Sequence, residues 1–254
     1  MTLCELLWPE GCGTVALVGG GGKTSLMSRA ADEAQQLLVT ADESRPSLLV
    51  TTTTRLQRPT PINARIHIGE TPPETTSESV HLWVGGLIAD GKKWKAPPLS
   101  ALAGWVENHP ESQILIEADG SSGRPLKAPG PGEPVIPGYT QTVICVMGLS
   151  ALGRQVSGRN VHRLERFEHI TGFKSGTPIT RKAVLRLLSH PDGGFKGTLP
   201  GMRRILVINQ ADDAKRVRIG ASLARRAMDT VPELTAAVVT KFGQDGIIRF
   251  MIGS

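Results

Sequence analysis

Aromatic residues are scarce in this chain. Only 4% of the 254 residues are Phe, Trp or Tyr, and Tyr139 is the one tyrosine. Proteins that bind single-stranded nucleic acid stack bases on aromatic side chains that alternate with basic ones, and no such stretch occurs here. The sequence therefore argues against nucleic acid as a partner.

Cysteine is also rare, with Cys4, Cys12 and Cys145 as the full set. Their number is odd and no two are spaced as C-x-x-C, so the sequence predicts neither a disulfide framework nor a typical zinc site. We predict a reduced, cytoplasmic location. Cys145 lies in the apolar run TVICVMG and is predicted to pack in the core. Cys4 and Cys12 are either packing residues or ligands of a metal or of selenium.

Long apolar runs and a basic start are missing as well. No run approaches the roughly 20 residues that cross a bilayer, and the opening MTLCELLWPEG carries Glu5 and Glu10 where a secretory signal has positive charges. We therefore predict no membrane association. The net charge of +6 and the pI near 9.5 suit anionic ligands. Because the basic residues are dispersed, a nucleotide fits this charge better than a nucleic acid does.

The stretch VALVGGGGKTSLM places four glycines and a lysine between an apolar run, 15–18, and a helical pattern, 25–38. Strand, glycine loop and helix in this order are typical of phosphate-binding loops, whose backbone N–H groups surround phosphate oxygens. In such loops the lysine reaches the outer phosphates and the next hydroxyl completes a magnesium shell. We assign nucleotide binding to the loop and the start of the helix: Gly19, Gly20, Gly21, Gly22, Lys23, Thr24 and Ser25.

This loop is shorter than the common G-x-x-x-x-G-K-[ST] pattern, because Leu17 stands where that pattern has its first glycine. It resembles the compact G-x-x-G-K-T loops of some ATP-dependent ligases. It also resembles the K-G-G-x-G-K-T loops of one large NTPase class, with Val18 in place of the first lysine. The simpler alternative is a flexible turn, since glycine tolerates backbone angles that other residues avoid.

Strand-like runs alternate with helical segments, which predicts an α/β fold with a mostly parallel sheet. The five runs are TVALVG, SLLVTTTT, ILIEADG, TVICVMG and RILVINQ. We predict one P-loop NTPase-like domain over 1–254, built as a three-layer sandwich. ADGKK indicates a hairpin turn within an antiparallel β-hairpin excursion over about 76–98, and a helix follows over 99–108. A polar stretch over about 150–198, in which Thr180 caps a helix ending near Ser189, predicts a helical insertion.

Two carboxylates, Glu117 and Asp119, end the run QILIEADG. A carboxylate at the end of a buried strand is where nucleotide hydrolases hold magnesium or orient water, and we predict that role for both, with Thr24 as a further magnesium ligand. The E-x-x-G pattern at 117–120 resembles metallochaperone GTPases that mature hydrogenase, urease and cobalt enzymes. Arg124 and Lys127 follow directly in the sequence. We predict that they offset the negative charge of the transferred phosphoryl group. The alternatives are a polar strand end and solvated loop charges.

A third motif lies downstream, where RILVINQADD places Asn209 and Asp212 just beyond a strand. It resembles the N-K-x-D guanine-recognition motif of GTPases, with Gln210 at the lysine position. The alternative is that Asp212 or Asp213 caps the following helix. The choice between GTP and ATP stays open.

The hydroxyls of TTTTR, 51–55, either end a strand or face magnesium or phosphate. The histidines, including His162 and His169, are taken as structural.

Together the motifs LVGGGGKTSLM, VTTTTR, LIEADGSSGRPLKAPGPGEPVIP, VMGLSALG, VHRLE and VINQADD resemble the YqeC-type accessory proteins of selenium-dependent molybdenum hydroxylases. The resemblance spans nearly the whole chain, and EADGSSGRPLKAP is its most specific part. It implies a bacterial, cytoplasmic role in making or inserting a labile selenium cofactor. The residues that it carries across are Gly19 to Thr24, Glu117, Asp119, Arg124, Lys127 and Glu133, the last in a proline-rich loop that we predict to be an ordered active-site loop.

Three functions are consistent with these patterns. The first is a magnesium-dependent NTPase, using GTP or ATP, whose cycle gates delivery or activation of selenium for a molybdenum hydroxylase. The second is a phosphotransferase or ligase that activates a small selenium or sulfur compound. The third is a nucleotide-gated binding module with negligible turnover. The expected partners are the nucleotide, a selenium donor or the hydroxylase, and we also consider a homodimer.

Overall fold

A computed structural model describes residues 2–40, 46–57, 62–74, 79–242 and 248–253. The described part of the chain contains six α-helices and fourteen strands, and a 3₁₀ turn at Leu149–Ala151. The helices are α1 Leu3–Leu7, α2 Lys23–Thr40, α3 Leu99–Asn108, α4 Leu164–Thr171, α5 Arg181–Ser189 and α6 Ala214–Thr230. The strands are β1 Gly13–Gly19, β2 Leu48–Thr52, β3 Arg55–Gln57, β4 Arg65–Ile68, β5 Val80–Val84, β6 Gly86–Leu87, β7 Lys93–Lys95, β8 Gln113–Glu117, β9 Leu126–Lys127, β10 Thr142–Gly148, β11 Val161–His162, β12 Arg203–Asn209, β13 Leu234–Thr240 and β14 Ile248–Gly253.

The fold is mixed α/β with a mostly parallel central sheet, which confirms the predicted class. All five predicted strands are present as β1, β2, β8, β10 and β12. Their apolar runs are buried along nearly their whole length, as expected for parallel strands with both faces covered. Within the described residues, no helix combines the length and apolar character that crossing a bilayer requires.

The chain divides into two compact units. The first unit is Met1–Ala16, Thr24–Asp119 and Ile136–Gln141, and the second is Leu17–Lys23, Gly120–Val135 and Thr142–Ser254. Strand β1 therefore has residues in both. The prediction of one domain over 1–254 stays a prediction.

In the first unit, β8, β2, β5 and β4 lie side by side in that order and are all parallel. Helix α3 spans 99–108 as predicted. It contributes Leu102 and Trp105 to a buried cluster with Leu49, Trp83, Ile114 and Ile116 from the strands. This packing encloses the apolar face of the sheet, because each of these side chains points into the same layer.

The predicted antiparallel excursion is only partly right. A hairpin does join β6 to β7 around ADGKK, with the Ile88 N–H donating to Lys93 O at 2.9 Å, and β3 adds a third antiparallel strand. Strand β5, however, is a parallel member of the main sheet. All five of its residues are buried, and a strand buried on both faces belongs inside a sheet. Residues 76–78 of the predicted excursion lie outside the described residues.

In the second unit, β10, β12 and β13 are parallel neighbours, and β14 closes that edge antiparallel to β13. Helix α6 packs on this sheet closely, because Gly220 leaves room for Val239: a Cβ on Gly220 would lie 2.8 Å from its Cγ1. The predicted insertion contains α4 and α5, and Thr180 caps α5 by accepting from the Ala183 N–H at 3.2 Å. It also contains β11, which pairs with β9.

Candidate functional site

The four glycines of the loop are each in a place that admits no side chain. Gly19, Gly21 and Gly22 have φ angles of +90°, +79° and +130°, a region that glycine enters readily. A Cβ would lie 2.4 Å from Val146 O at Gly19, 2.5 Å from Arg124 O at Gly20, 2.2 Å from Gly148 N at Gly21 and 2.3 Å from Asn209 Nδ2 at Gly22. These approaches are shorter than any real Cβ contact, so the loop is a packed element and not a loose turn.

Three segments of the second unit hold this loop. The Gly20 N–H donates to Val146 O at 2.8 Å, and the Gly21 N–H donates to Arg124 O at 3.0 Å. Asn209 donates its Nδ2 to Gly21 O at 2.8 Å. The carboxyl ends of β10 and β12 thus meet the glycine loop, and ligands of open α/β sheets bind at such carboxyl edges.

Lys23 begins helix α2 and is buried, with 3% of its surface exposed. Its Nζ donates to Gly19 O at 2.5 Å, which folds the ammonium back over the loop. The first N–H groups of any α-helix have no partner within the helix and carry partial positive charge. Thr24, half-buried, and Ser25, exposed, follow in the first turn of α2 and belong to the first unit.

Asn209 is a connecting residue as well as a predicted base contact. Its Oδ1 accepts from Thr240 Oγ1 at 3.3 Å and from the Phe242 N–H at 3.4 Å. Thr240 is the last residue of β13, and Phe242 lies two positions beyond it. No motif in the sequence predicts either residue as part of the site. The only available signal was the apolar run LTAAVVT at 234–240, which was not recognised as a strand.

Gln210, at the position of the lysine in N-K-x-D, has a structural role here. Its φ is +67°, and its Oε1 accepts from the Ser150 N–H at 3.3 Å. A Cβ on Gly148 would lie 2.3 Å from the same Oε1. Gln210 therefore packs on the turn after β10, which is also the turn that contacts Gly21.

Of the two aspartates considered as helix caps, Asp213 takes that place. Its carboxylate accepts from the Arg216 N–H at 2.8 Å at the start of α6. Asp212 forms an ion pair with Arg216 at 2.5 Å and is half exposed. The base contact of Asp212 stays a prediction.

The segment after Asp119 supplies a second polar cluster. Lys127, whose side chain is fully buried, donates to Gly120 O at 2.7 Å and pairs with Glu133 at 2.9 Å. Arg163 binds the same carboxylate with two donors, at 3.0 and 2.9 Å. Burial raises the pKa of Glu133, but the hydrogen bonds from Arg163 and then Lys127 outweigh it and lower the pKa to about 2. Glu133 is thus a fixed anion.

Glu117 and Asp119 lie in the first unit, at and just after the end of β8. They are 6% and 0% exposed. Their oxygen ligands suit magnesium, and a magnesium ion that carries nucleotide phosphates needs only one or two carboxylates from the protein. Within the described residues, no group of three or more His, Cys, Asp and Glu side chains has the arrangement of a metal centre. Two carboxylates are within the number that a nucleotide-bound magnesium ion requires of the protein.

The threonines of TTTTR act as structural donors. Thr51 Oγ1 donates to Trp83 O at 2.8 Å, and Thr52 Oγ1 donates to Glu117 O at 2.8 Å. The Thr53 N–H also donates to Glu117 O, at 3.1 Å. These bonds fix the backbone at Glu117, which favours the plain strand end over the magnesium-facing alternative for Thr51 and Thr52.

A hydrogen-bonded chain of Ser79, His81 and His67 lies in the first unit and was missed in the sequence. His81, 1% exposed, contacts Ser79 Oγ through Nε2 at 2.5 Å and His67 Nε2 through Nδ1 at 2.9 Å. Burial, then the charges of His67 and Arg65, lower the pKa of His81 to about 4. His81 is therefore neutral near pH 7.

All three cysteines are described, and none forms a disulfide. Cys145 is 3% exposed and lies against Gly194, where a Cβ would come 3.0 Å from its Sγ. This confirms the predicted packing role of Cys145. Cys4 is buried with its Sγ 3.9 Å from Ala30 O, and Cys12 is partly buried.

Comparisons with known proteins give a match to a family model and a similar relative. The family model described as "YqeC protein" matches residues 15–165. The chain is 36% identical over 199 residues to "Uncharacterized protein YqeC" of Escherichia coli (strain K12), covering 77% of this chain and 75% of the relative. No solved structure matches it.

Proposed function

The chain belongs to the YqeC protein family, and on that premise we propose that it is a magnesium-dependent protein that binds and hydrolyses a nucleoside triphosphate. From the resemblance of its motifs we further propose a role in selenium cofactor biosynthesis or insertion for selenium-dependent molybdenum hydroxylases. The matched family region contains the glycine loop, both acids and Glu133.

The observation that carries the nucleotide proposal is the geometry of the glycine loop. Four glycines that admit no Cβ lead directly into the first turn of an eighteen-residue helix. The N–H groups of the first turn of α2, at the positive end of the helix, form a ready anion site, and Lys23 adds a buried ammonium that donates to Gly19 O.

Each remaining residue receives a chemical role in this proposal. Lys23 neutralises the outer phosphates, and the Thr24 hydroxyl with a carboxylate of Glu117 or Asp119 holds magnesium. The other carboxylate orients the attacking water. When bound, magnesium supplies charge neutralisation at the phosphates. Asn209 and Asp212 would contact the base, with GTP or ATP as the nucleotide.

The proposal is tested by measuring phosphate release and nucleotide binding in Lys23→Ala. We expect turnover to fall by at least about a hundredfold, since a phosphate-neutralising cation is lost. Lys92→Ala removes an exposed lysine from the hairpin turn and is expected to behave as wild type. Unchanged turnover in Lys23→Ala would disprove the phosphate-loop assignment.

The carboxylates are tested separately. Glu117→Gln and Asp119→Asn are each expected to lower turnover by at least about a hundredfold, the usual scale for a positioned acid or metal ligand. Normal rates in both variants would make the two acids structural. The selenium role is tested by the selenium content of a molybdenum hydroxylase in cells that lack this protein, which we expect to fall.

A second candidate is a phosphotransferase or ligase that uses the nucleotide to activate a small selenium or sulfur compound. The observation that favours it is the guanidinium of Arg124, which is held by two backbone carbonyls and suits an anionic acceptor substrate. Product analysis separates the two candidates, because a transferase leaves the phosphoryl group on an acceptor instead of releasing it.

A further inference from the structure

Arg124 is fixed beside the glycine loop by its backbone. Its carbonyl oxygen accepts from the Gly21 N–H at 3.0 Å, and the next carbonyl, Pro125 O, accepts from the Gly148 N–H at 2.8 Å. A side chain on Gly20 would collide with the same Arg124 oxygen. The backbone of Arg124 is therefore hydrogen-bonded to the loop that we propose holds phosphate.

The guanidinium of Arg124 is oriented by two neutral acceptors. Its Nε donates to Gly158 O at 2.5 Å, and its Nη1 donates to Ser122 O at 3.2 Å. Over the described residues, no carboxylate forms an ion pair with Arg124. Its charge is thus held in place but not neutralised, which is an arrangement suited to an incoming anion.

The acceptor for Nε is itself preorganised. Asn160 closes the turn that carries Gly158, because its Nδ2 donates to Gln155 O at 2.8 Å and to Ser157 Oγ at 3.2 Å. The Leu126 N–H donates to Asn160 O at 3.2 Å and joins this turn to the strand that follows Arg124. A cation that is oriented before a ligand arrives does not lose further freedom on binding.

Three more basic side chains, Lys127, His162 and Arg163, lie on or next to the strand pair that follows Arg124. Strands β9 and β11 pair with Lys127 opposite His162, and paired residues of neighbouring strands project to the same face. Arg163 follows His162 and binds Glu133, as Lys127 does. Burial first, then the charges of Lys127, Arg163 and Arg124, lower the pKa of His162 against the opposing effect of Glu133.

We propose that the guanidinium of Arg124 binds an oxyanion of a small second substrate. This inference rests on the proposed nucleotide function of the neighbouring loop and names the substrate class for it. The planar donor fork of arginine matches a carboxylate or a phosphate-like tetrahedral oxyanion. An anionic acceptor that approaches a triphosphate is repelled by it, and cations placed outside the phosphate loop offset that repulsion.

Calorimetric titration with inorganic phosphate tests the site, using wild type, Arg124→Ala, Arg124→Lys, Lys23→Ala and Arg159→Ala. We expect Arg124→Ala to weaken phosphate binding by about tenfold or more, the scale of a lost charge-assisted hydrogen bond. Arg124→Lys keeps the charge without the fork and should fall in between. Arg159→Ala removes an exposed charge from the same turn and should bind phosphate within about twofold of wild type, on the scale of an exposed charge.

Lys23→Ala separates this site from the phosphate loop. Phosphate binding that survives in Lys23→Ala and is weakened in Arg124→Ala supports the inference. Binding that is lost in Lys23→Ala and unchanged in Arg124→Ala places the phosphate in the loop, which overturns the inference and leaves the proposed function intact. Absence of phosphate binding in every folded variant also overturns it. Nucleotide binding by the same proteins, followed in parallel, reports on the proposed function independently.

Discussion

Asn209 donates its side-chain amide to the carbonyl oxygen of Gly21 at 2.8 Å, across 188 positions of the sequence. The same side chain accepts from Thr240 and Phe242. A single buried amide therefore joins the glycine loop to the carboxyl ends of β12 and β13. The shape of the loop depends on this amide as well as on its own glycines.

Replacing Asn209 should show this dependence. We expect Asn209→Ala to lower the free energy of unfolding by about 1–3 kcal/mol, because its buried partners lose their hydrogen bonds, and to weaken nucleotide binding by about tenfold. Asn209→Asp keeps the acceptor and removes the donor, so it should also weaken binding. Asn108→Ala, which removes an exposed amide bound to Gly104 O, is the control. Equal nucleotide affinity in Asn209→Ala and wild type would contradict the prediction.

Alanine at Gly21 should be far more damaging than alanine at Gly123. Both residues have positive φ, +79° and +74°, so both substitutions cost roughly 1–2 kcal/mol of backbone strain. The added Cβ at Gly21 would also meet Gly148 N at 2.2 Å, whereas at Gly123 it meets nothing within 4 Å. Thermal unfolding and nucleotide binding of the two variants measure the difference. Similar unfolding temperatures would show that the loop accommodates a Cβ at Gly21 without losing stability, and would contradict the prediction.

Protonation of Glu133 should make the protein less stable in acid. Its pKa is about 2 in the folded chain against an ordinary 4.5, so its contribution is complete above pH 4.5 and is lost as the pH falls toward 2. We expect a loss on the order of 2 kcal/mol over this range. Chemical unfolding at several pH values measures it. Glu133→Gln should be less stable near pH 7 and show a flatter pH dependence, and an unchanged slope would refute the assignment.

Protonation of His81 should lower the stability of the protein over a different pH range. Its pKa is lowered from 6.5 to about 4, so the unfolded chain binds this proton more readily than the folded chain does. Stability from the neutral imidazole is complete above pH 6.5 and declines as the pH falls to 4, by about 3 kcal/mol at most. His81→Gln does not titrate, and its free energy of unfolding should vary less between pH 6.5 and pH 4.5. Parallel curves for the two proteins would argue against this role.

Asp212 provides the test of base identity. A carboxylate that accepts from the guanine N1–H and amino group favours GTP over ATP, and with glutamine at the lysine position we expect a preference of roughly tenfold. Asp212→Asn should lose GTP and gain xanthosine triphosphate. Asp213→Asn, at the cap of α6, is the control. Equal GTP and ATP affinities that do not change in Asp212→Asn would leave Asp212 with only its Arg216 ion pair.

Local sequence signals were sufficient for a large part of the fold. Strands β1, β2, β8, β10 and β12, helix α3 at 99–108 and the Thr180 cap were predicted at or near their observed bounds. Strand β13 was not predicted, although its run LTAAVVT is apolar. Periodicity and capping are properties of neighbouring residues, so they can be read without knowing the tertiary structure. Strands β4 and β14 were not predicted, because they are short or half-exposed and lack a continuous apolar run.

The sequence by itself also determined which residue types are available for chemistry, including the glycine loop with Lys23, the acids after β8 and the cations after Asp119. Only the tertiary structure decided what these groups contact. It placed Asn209 on Gly21, Gln210 on the turn after β10, and the guanidinium of Arg124 on carbonyls of Gly158 and Ser122. These contacts join residues that are far apart in the chain, with Ser122 the exception, and their partners are backbone carbonyl or N–H groups. Every residue carries a carbonyl and nearly every one an N–H, so no pattern of side chains in the sequence marks which of them will be used.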